Sequence, residues 1–310
     1  MKKISVVTGC YNEEANVYEL YRQVKEIFGA WDGYAYEHIF IDNASTDKTV
    51  EVLKGIAAND KNLKIIVNTR NFGHIRSPYY ALLQAKGDAV INIASDLQDP
   101  PGLINDFIRQ WEAGYEVVVG VKIRSKENFL MFWMRRLFYK LLNTLSEEKQ
   151  IENFAGFGLY DKKIIAALRE IKEPYPYLRG LIPEVSSNIA FVEYVQPKRS
   201  AGATKNNFYT LFDMAMLGIV NNSKVPLRMA IFAGMIFSFI FFIIGVIYLI
   251  YKLIFWNNFQ LGIAPLVVGV FLFFSVQLVF IGVLGEYIGA IYTQVRKRPL
   301  AIERERVNFD

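Results

Sequence analysis

An apolar, strand-forming run, Ala89-Val90-Ile91-Asn92-Ile93, stops abruptly at Ala94-Ser95-Asp96-Leu97-Gln98-Asp99-Pro100-Pro101. Two carboxylates and a side-chain amide at a strand end offer oxygen donors to a hard cation such as Mg²⁺ or Mn²⁺, which prefers oxygen and bridges phosphates. Asp96 and Gln98 are the candidates for holding that metal and for catalysis. Asp99 has a second reading, because Asp-Pro-Pro also suits the entry to a following helix. Three further polar clusters have the same setting: Tyr11-Asn12-Glu13-Glu14, Asp42-Asn43-Ala44-Ser45 and Asn71-Phe72-Gly73-His74. Asp42 reads as a ligand-binding acid or as a turn residue ahead of a helix cap at Thr46 or Asp47. Neither a GxGxxG turn nor a GxxxxGK[ST] loop is present, which excludes the dinucleotide and P-loop designs.

The elements that must position these clusters follow from periodicity. Short β-branched runs at Ile4–Thr8, His38–Ile41, Leu63–Val67 and Ala89–Ile93 alternate with helical patterns at Glu13–Phe28, Asp47–Ile56 and Arg76–Lys86. That alternation predicts a mostly parallel, Rossmann-like α/β sheet. Ligands of such sheets sit beyond the carboxyl ends of the strands, where all four clusters fall. His38 reads as a strand residue, and His74 as an ordinary loop histidine at the rim of the site.

Of 310 residues, 53% are hydrophobic, with 24 Phe and 18 Tyr, which is high for a chain wholly in water. The excess lies at Met229–Tyr251 and Leu261–Gly285, two stretches without a charged side chain. Each reaches the roughly 20 residues that a bilayer core requires. Lys224 and Arg228 precede the first stretch, Arg296, Lys297 and Arg298 follow the second, and only Lys252 lies between, so the flanks are expected on the cytoplasmic side. The expected organisation is a cytoplasmic catalytic domain at 1–200, a membrane-proximal amphipathic segment at 201–228, a two-helix transmembrane hairpin at 229–285 and a cytoplasmic basic tail at 286–310. The apolar run in MKKISVVTGC is too short for a secretory signal, and the single Cys10, read as a small buried hydrophobe, fits a reducing compartment. Gly234, Ser238 and Gly245 offer small-residue contacts within the hairpin or between copies in a homo-oligomer.

Lys122, Arg124, Lys126, Arg135, Arg136 and Lys140 bracket the apolar run Phe129–Trp133, a pattern typical of a helix lying among lipid headgroups. The plainer alternative is an amphipathic helix packed on the sheet. Lys122, Arg124, Arg135 and Arg136 are the candidates for binding a lipid phosphate. Arg199 to Lys205 is a basic turn before the membrane segment.

Taken together, SVVTGCYNEE, DNASTDKTVEVL, RNFG, SDLQDPP, GYEVVVG, YLRGL and GEYIGAIY resemble the family 2 glycosyltransferases that load a sugar onto a polyprenyl phosphate, the dolichol-phosphate mannose synthase group and its bacterial relatives. The resemblance implies a GT-A domain, a divalent metal and inversion at the anomeric carbon. It implies that Tyr11, Glu13 and Asp42 hold the nucleotide, with Asn43, Ser45, Asn71 and Ser95 in the same nucleotide-sugar site. Asp96 and Gln98 then address metal and diphosphate, and the Arg199–Lys205 loop closes over the diphosphate. Ala94 stands where the family has the first acid of Asp-x-Asp, Asn43 where it has a second acid, Gly9 where it has Pro, and Ala155-Gly156-Phe157-Gly158 where Gly-Asp-Phe-Arg is common. The expected reaction is transfer from a nucleotide sugar, UDP-linked, to undecaprenyl phosphate at the membrane. A membrane-anchored binder that has lost catalysis and a transferase acting on a glycan or protein remain alternatives. No nucleic-acid partner is expected.

Overall fold

The computed structural model describes residues 1–31, 33–124, 151, 153–197, 216, 220, 223–255 and 263–309. The chain begins β1 (Lys2–Cys10), α1 (Val17–Gly29), β2 (Tyr34–Asp42), α2 (Thr49–Asn59), β3 (Leu63–Asn68), α3 (Arg76–Gln84) and β4 (Ala89–Asn92). A short 3-10 turn at Pro101–Leu103 leads into α4 (Ile104–Glu112) and β5 (Val117–Arg124). Then come β6 (Phe154–Asp161), α5 (Lys162–Ile171), α6 (Leu178–Val185) and β7 (Ile189–Val195), followed by α7 (Val225–Ile254), α8 (Ile263–Val295) and β8 (Glu303–Val307).

These strands form one sheet in the order β7-β5-β6-β4-β1-β2-β3-β8. β1 is parallel to β2 and β4, and β2 is parallel to β3. β6 is antiparallel to both β4 and β5, so β5, with its parallel neighbour β7, runs in the same direction as β4. The carboxyl ends of β1 to β5 and of β7 therefore share one edge. Successive side chains of a strand point to opposite faces, and here both faces are buried. Ile4, Val6, Phe40 and Val67 pack beneath α1, α2 and α4, while Val7, Ile39, Ile41 and Ile66 pack beneath α3, α5 and α6. Strands covered on both faces read as continuous apolar runs, which explains why these were legible.

The helices α7 and α8 are long and apolar enough to cross a membrane and carry exposed Phe, Ile and Leu along their length. They run beyond the expected spans at both outer ends, to Val225 and Val295. The Phe241 and Phe273 rings meet edge to face at 5.9 Å. A Cβ at Gly234 or Gly245 would meet nothing within 4 Å, so neither glycine permits a close contact between the two helices.

The expected basic tail at 286–310 requires correction. Its first ten residues continue α8, and β8 then returns to the sheet, antiparallel to β3. Thr69 N–H donates to the Ile302 carbonyl at 2.9 Å, and Asn308 Nδ2 donates to the carbonyls of Leu63 at 2.8 Å and Ala57 at 2.9 Å. The tail is an edge strand because β3 would otherwise present unpaired backbone groups to water.

Candidate active site at the carboxyl edge of the sheet

Each of the four parallel strands β1 to β4 ends in a turn containing one residue with positive φ: Asn12 (57°), Ala44 (63°), Gly73 (90°) and Leu97 (59°). This left-handed conformation costs a residue with a Cβ about 1–3 kcal/mol and persists where surrounding contacts enforce it. Here the contacts are mutual. Asn12 N–H donates to Ser45 Oγ at 2.9 Å, and Asn12 Oδ1 accepts from the Thr46 N–H at 2.8 Å. Glu13 N–H donates to Thr49 Oγ1, Glu14 N–H to Asp47, and Lys48 N–H back to Glu14. The first two loops are thereby bound as one unit, with Asp47 capping the start of α2 through the Thr49 N–H at 3.0 Å.

Asp42 is fully buried and accepts from the Ser45 N–H at 3.0 Å and from the Ser45 hydroxyl. Burial pushes its carboxyl above the usual range, and the Ser45 hydrogen bonds pull against that rise. Asn43 is also buried. Its Nδ2 donates to Asn71 Oδ1 at 2.9 Å and to the Gly73 carbonyl at 3.2 Å, while its Oδ1 accepts from the Phe72 N–H at 2.8 Å and Asn68 Nδ2 at 3.3 Å. An amide at position 43 both donates and accepts, which a carboxylate in that place does not. Asp42 and Asn43, expected as ligand contacts, thus shape the loops around them, whereas Tyr11, Glu13 and Ser45 are half-buried and Asn71 is exposed.

On the fourth loop Asp96 is half-buried, and its Oδ1 accepts from the Gln98 N–H at 3.2 Å. Ser95 is buried, Gln98 half-buried and Ala94 exposed. Asp99 corrects the capping alternative: the following turn has no side-chain cap, and the Asp99 carboxylate is buried. It accepts from Tyr194 Oη at 2.7 Å and from the Ala94 N–H at 3.4 Å. Burial raises its carboxyl, and the charge of Lys122 opposes that rise. Because β5 runs parallel to β4, Lys122 reaches the same edge as Asp96, a placement the sequence could not supply. The side chain of Arg124, and all of Arg135, Arg136, Arg199 and Lys205, lie outside the described residues.

Among the described residues no three His, Cys, Asp or Glu side chains gather into a protein-only metal cage. A single half-buried carboxylate with a half-buried amide two residues on fits a different arrangement. Mg²⁺ keeps several waters and is held by one or two carboxylates together with substrate phosphates. Asp96 and Gln98 would offer oxygen donors to such a cation, with no second acid at position 94.

Sequence reasoning missed Tyr194 and Asn68, which hold Asp99 and Asn43. Tyr194 lies in an edge strand 95 residues from its partner Asp99, and no local pattern links the two. Pro78 accounts for Gly9: a Cβ at position 9 would lie 2.6 Å from Pro78 Cγ.

The mixed, mostly parallel sheet with its carboxyl-edge loops defines a GT-A domain. Residues 5–169 match the family model described as Glycosyl transferase family 2. The chain belongs to that glycosyltransferase family. A bactoprenol glucosyl transferase of Shigella phage SfII is 36% identical over 298 residues, covering 96% of each chain. The uncharacterized glycosyltransferase YkcC of Bacillus subtilis is 36% identical over 307 residues, covering 99% of this chain and 94% of its own. Among solved structures, glucosyl-3-phosphoglycerate synthase from Mycobacterium tuberculosis superposes with a TM-score of 0.52 at 20% identity, covering 71% of this chain and 78% of that one. This last likeness concerns the fold alone.

Proposed function

We propose that the protein transfers a sugar from a UDP-linked donor to a polyprenyl phosphate, undecaprenyl phosphate in bacteria, at the cytoplasmic face of the membrane and with inversion. The observation that carries this reading is the meeting of the Asp96 loop and Lys122 on one sheet edge, in a chain that also carries two helices long and apolar enough to cross a membrane. Near full-length relatives named bactoprenol glucosyl transferases support the acceptor and make glucose the first sugar to test.

The chemistry needs few parts. A phosphate monoester has a second pKa near about 6, so the lipid phosphate is already an anionic nucleophile at neutral pH and needs no strong base. The difficulty is bringing two anions together. Tyr11, Glu13, Ser45, Asn71 and the loops built on Asp42, Asn43 and Ser95 bind the nucleotide sugar, fixing the anomeric carbon near Asp96. Asp96 and Gln98 would hold a divalent cation, which would supply positive charge to the leaving diphosphate. Arg199 and Lys205 attend the same leaving group, while Lys122, Arg124, Arg135 and Arg136 hold the acceptor phosphate.

The test is incubation of the purified full chain in detergent with radiolabelled UDP-glucose and other labelled nucleotide sugars, undecaprenyl phosphate and Mg²⁺. A chloroform-soluble labelled product is expected. Binding of UDP-sugar without product, or label passing only to a glycan or protein, overturns the reading.

A further inference from the structure

A concavity on the α3 and α6 side of the sheet shares none of the residues assigned above to the nucleotide, the metal or the lipid phosphate. It is a cavity of about 200 Å³ between the first turns of α3 and the segment entering α6, reaching Asn92 at the end of β4. Nucleotide and drug-sized ligands occupy pockets of roughly 300–1,000 Å³, so this one holds a fragment rather than a whole nucleotide sugar. Its walls are mainly apolar, from Pro78, Leu82, Pro176 and Leu178. The polar side chains on it include His74, Asn92 and Arg179, and among the described residues no carboxylate lines it. Asn92 Nδ2 donates to the Gly156 carbonyl at 2.8 Å, which fixes the floor of the cavity. Arg179 is half-buried and supplies the positive charge of the wall, whereas desolvation lowers the His74 imidazole below its usual pKa, so His74 meets a ligand as a neutral hydrogen-bonding ring.

A hexose ring is recognised by many hydroxyl partners, and this lining supplies few. An apolar volume with a guanidinium and an imidazole suits an anionic amphiphile, because Arg binds a phosphate bidentately while the walls take hydrocarbon out of water. The position suits it as well. Asn92 precedes Asp96 by four residues, so a phosphate here lies beside the loop assigned to the sugar diphosphate.

We infer that this cavity seats the phosphate and first isoprene unit of the acceptor, with Arg179 and His74 as phosphate contacts. The inference rests on the acceptor class proposed above and adds residues to it. His74 rises from the third strand-end loop and Arg179 from α6, so the acceptor phosphate is gripped from both sides of the cavity. Leu178 and Leu82 then receive the first isoprene, and the remaining chain passes toward the membrane.

The test measures KM for undecaprenyl phosphate and for the nucleotide sugar separately, on the full chain in detergent, for Arg179→Leu, Arg179→Lys, His74→Ala and the cavity-filling Leu178→Trp. Loss of a charge-assisted hydrogen bond predicts an acceptor KM raised about 10- to 100-fold in Arg179→Leu, with partial recovery in Arg179→Lys. The donor KM is expected to stay within about twofold in every variant. UDP affinity, measured by calorimetry, separates misfolded protein from a specific loss. Farnesyl phosphate is expected to compete with the acceptor in the wild type and to lose potency in Leu178→Trp, and inorganic phosphate alone is expected not to compete. Unchanged acceptor KM in both Arg179→Leu and Leu178→Trp overturns the inference while leaving the parent reaction intact. A donor KM rising in step gives the cavity to the sugar instead, and a wild type that makes no lipid-linked product removes both proposals.

Discussion

Tyr194 donates its phenolic proton to Asp99 at 2.7 Å, tying edge strand β7 to the loop that carries Asp96. Asp99 is buried, so removal of this donor leaves a carboxylate oxygen without its partner, at a cost of about 1–3 kcal/mol. Tyr194→Phe is therefore expected to lower thermal stability and, by loosening the Asp96 loop, to reduce kcat/KM for the nucleotide sugar about tenfold or more. Steady-state kinetics alongside thermal unfolding check it, and unchanged catalysis in a destabilised variant would confine Tyr194 to folding.

Asp96→Asn is expected to reduce transfer by about 100-fold or more while leaving the folded state intact, since the residue is half-buried rather than part of the core. Excess chelator should abolish product. Ala94 is exposed beside it, so Ala94→Asp adds a second negative ligand and should lower the Mn²⁺ concentration giving half-maximal activity. A metal titration of activity reads both, and chelator-insensitive transfer would refute the cation's part.

Gly9→Ala should cost about 1–3 kcal/mol by overpacking, because the new methyl group runs into the Pro78 ring. The double variant Gly9→Ala with Pro78→Ala should recover part of that loss. A double-mutant cycle on denaturant unfolding measures the coupling, and strict additivity would show that the backbone absorbs the clash.

Acid sensitivity has an identifiable source in β2. His38 is fully buried against Thr8, and burial lowers its pKa from 6.5 to about 3. The stability gained from keeping the ring neutral is complete above pH 6.5 and is lost as pH falls toward 3. Across that window the slope approaches ~1.4 kcal/mol per pH unit. Burial also pushes the Glu37 carboxyl up, but hydrogen bonds from Lys3, Ser5 and Lys64 outweigh it and hold the group at about 2. Its contribution is full above pH 4.5 and is lost only below that. His38→Gln should accordingly flatten the decline between pH 6.5 and 4.5, as followed by thermal midpoints, and an unchanged profile would assign that decline elsewhere.

Asn308 satisfies backbone carbonyls of α2 and β3 from beyond the two long apolar helices, so Asn308→Ala should destabilise the sheet domain by about 1–3 kcal/mol. Hydrogen exchange along β3 provides the readout. Protection of Ile65–Val67 unaltered by the substitution would show that β8 holds without this anchor.

The sequence by itself determined the strand–helix alternation from Ile4 to Ile93, the oxygen-rich strand ends and the two apolar helices. These are local properties: a doubly buried strand needs a continuous apolar run, a carboxyl-edge loop needs polar turn residues, and a bilayer needs length without charge. Tertiary structure alone decided that Lys122 stands near Asp99, that Tyr194 holds that acid, and that Asn43 clamps two loops. It also turned Glu303-Arg304-Glu305-Arg306-Val307, which by composition is a solvated tail, into the eighth strand of the sheet. Pairings between residues tens to hundreds of positions apart depend on strand order and direction. β6, antiparallel between β4 and β5, sets that direction for half of the site, and no short stretch of sequence records which neighbours it will choose.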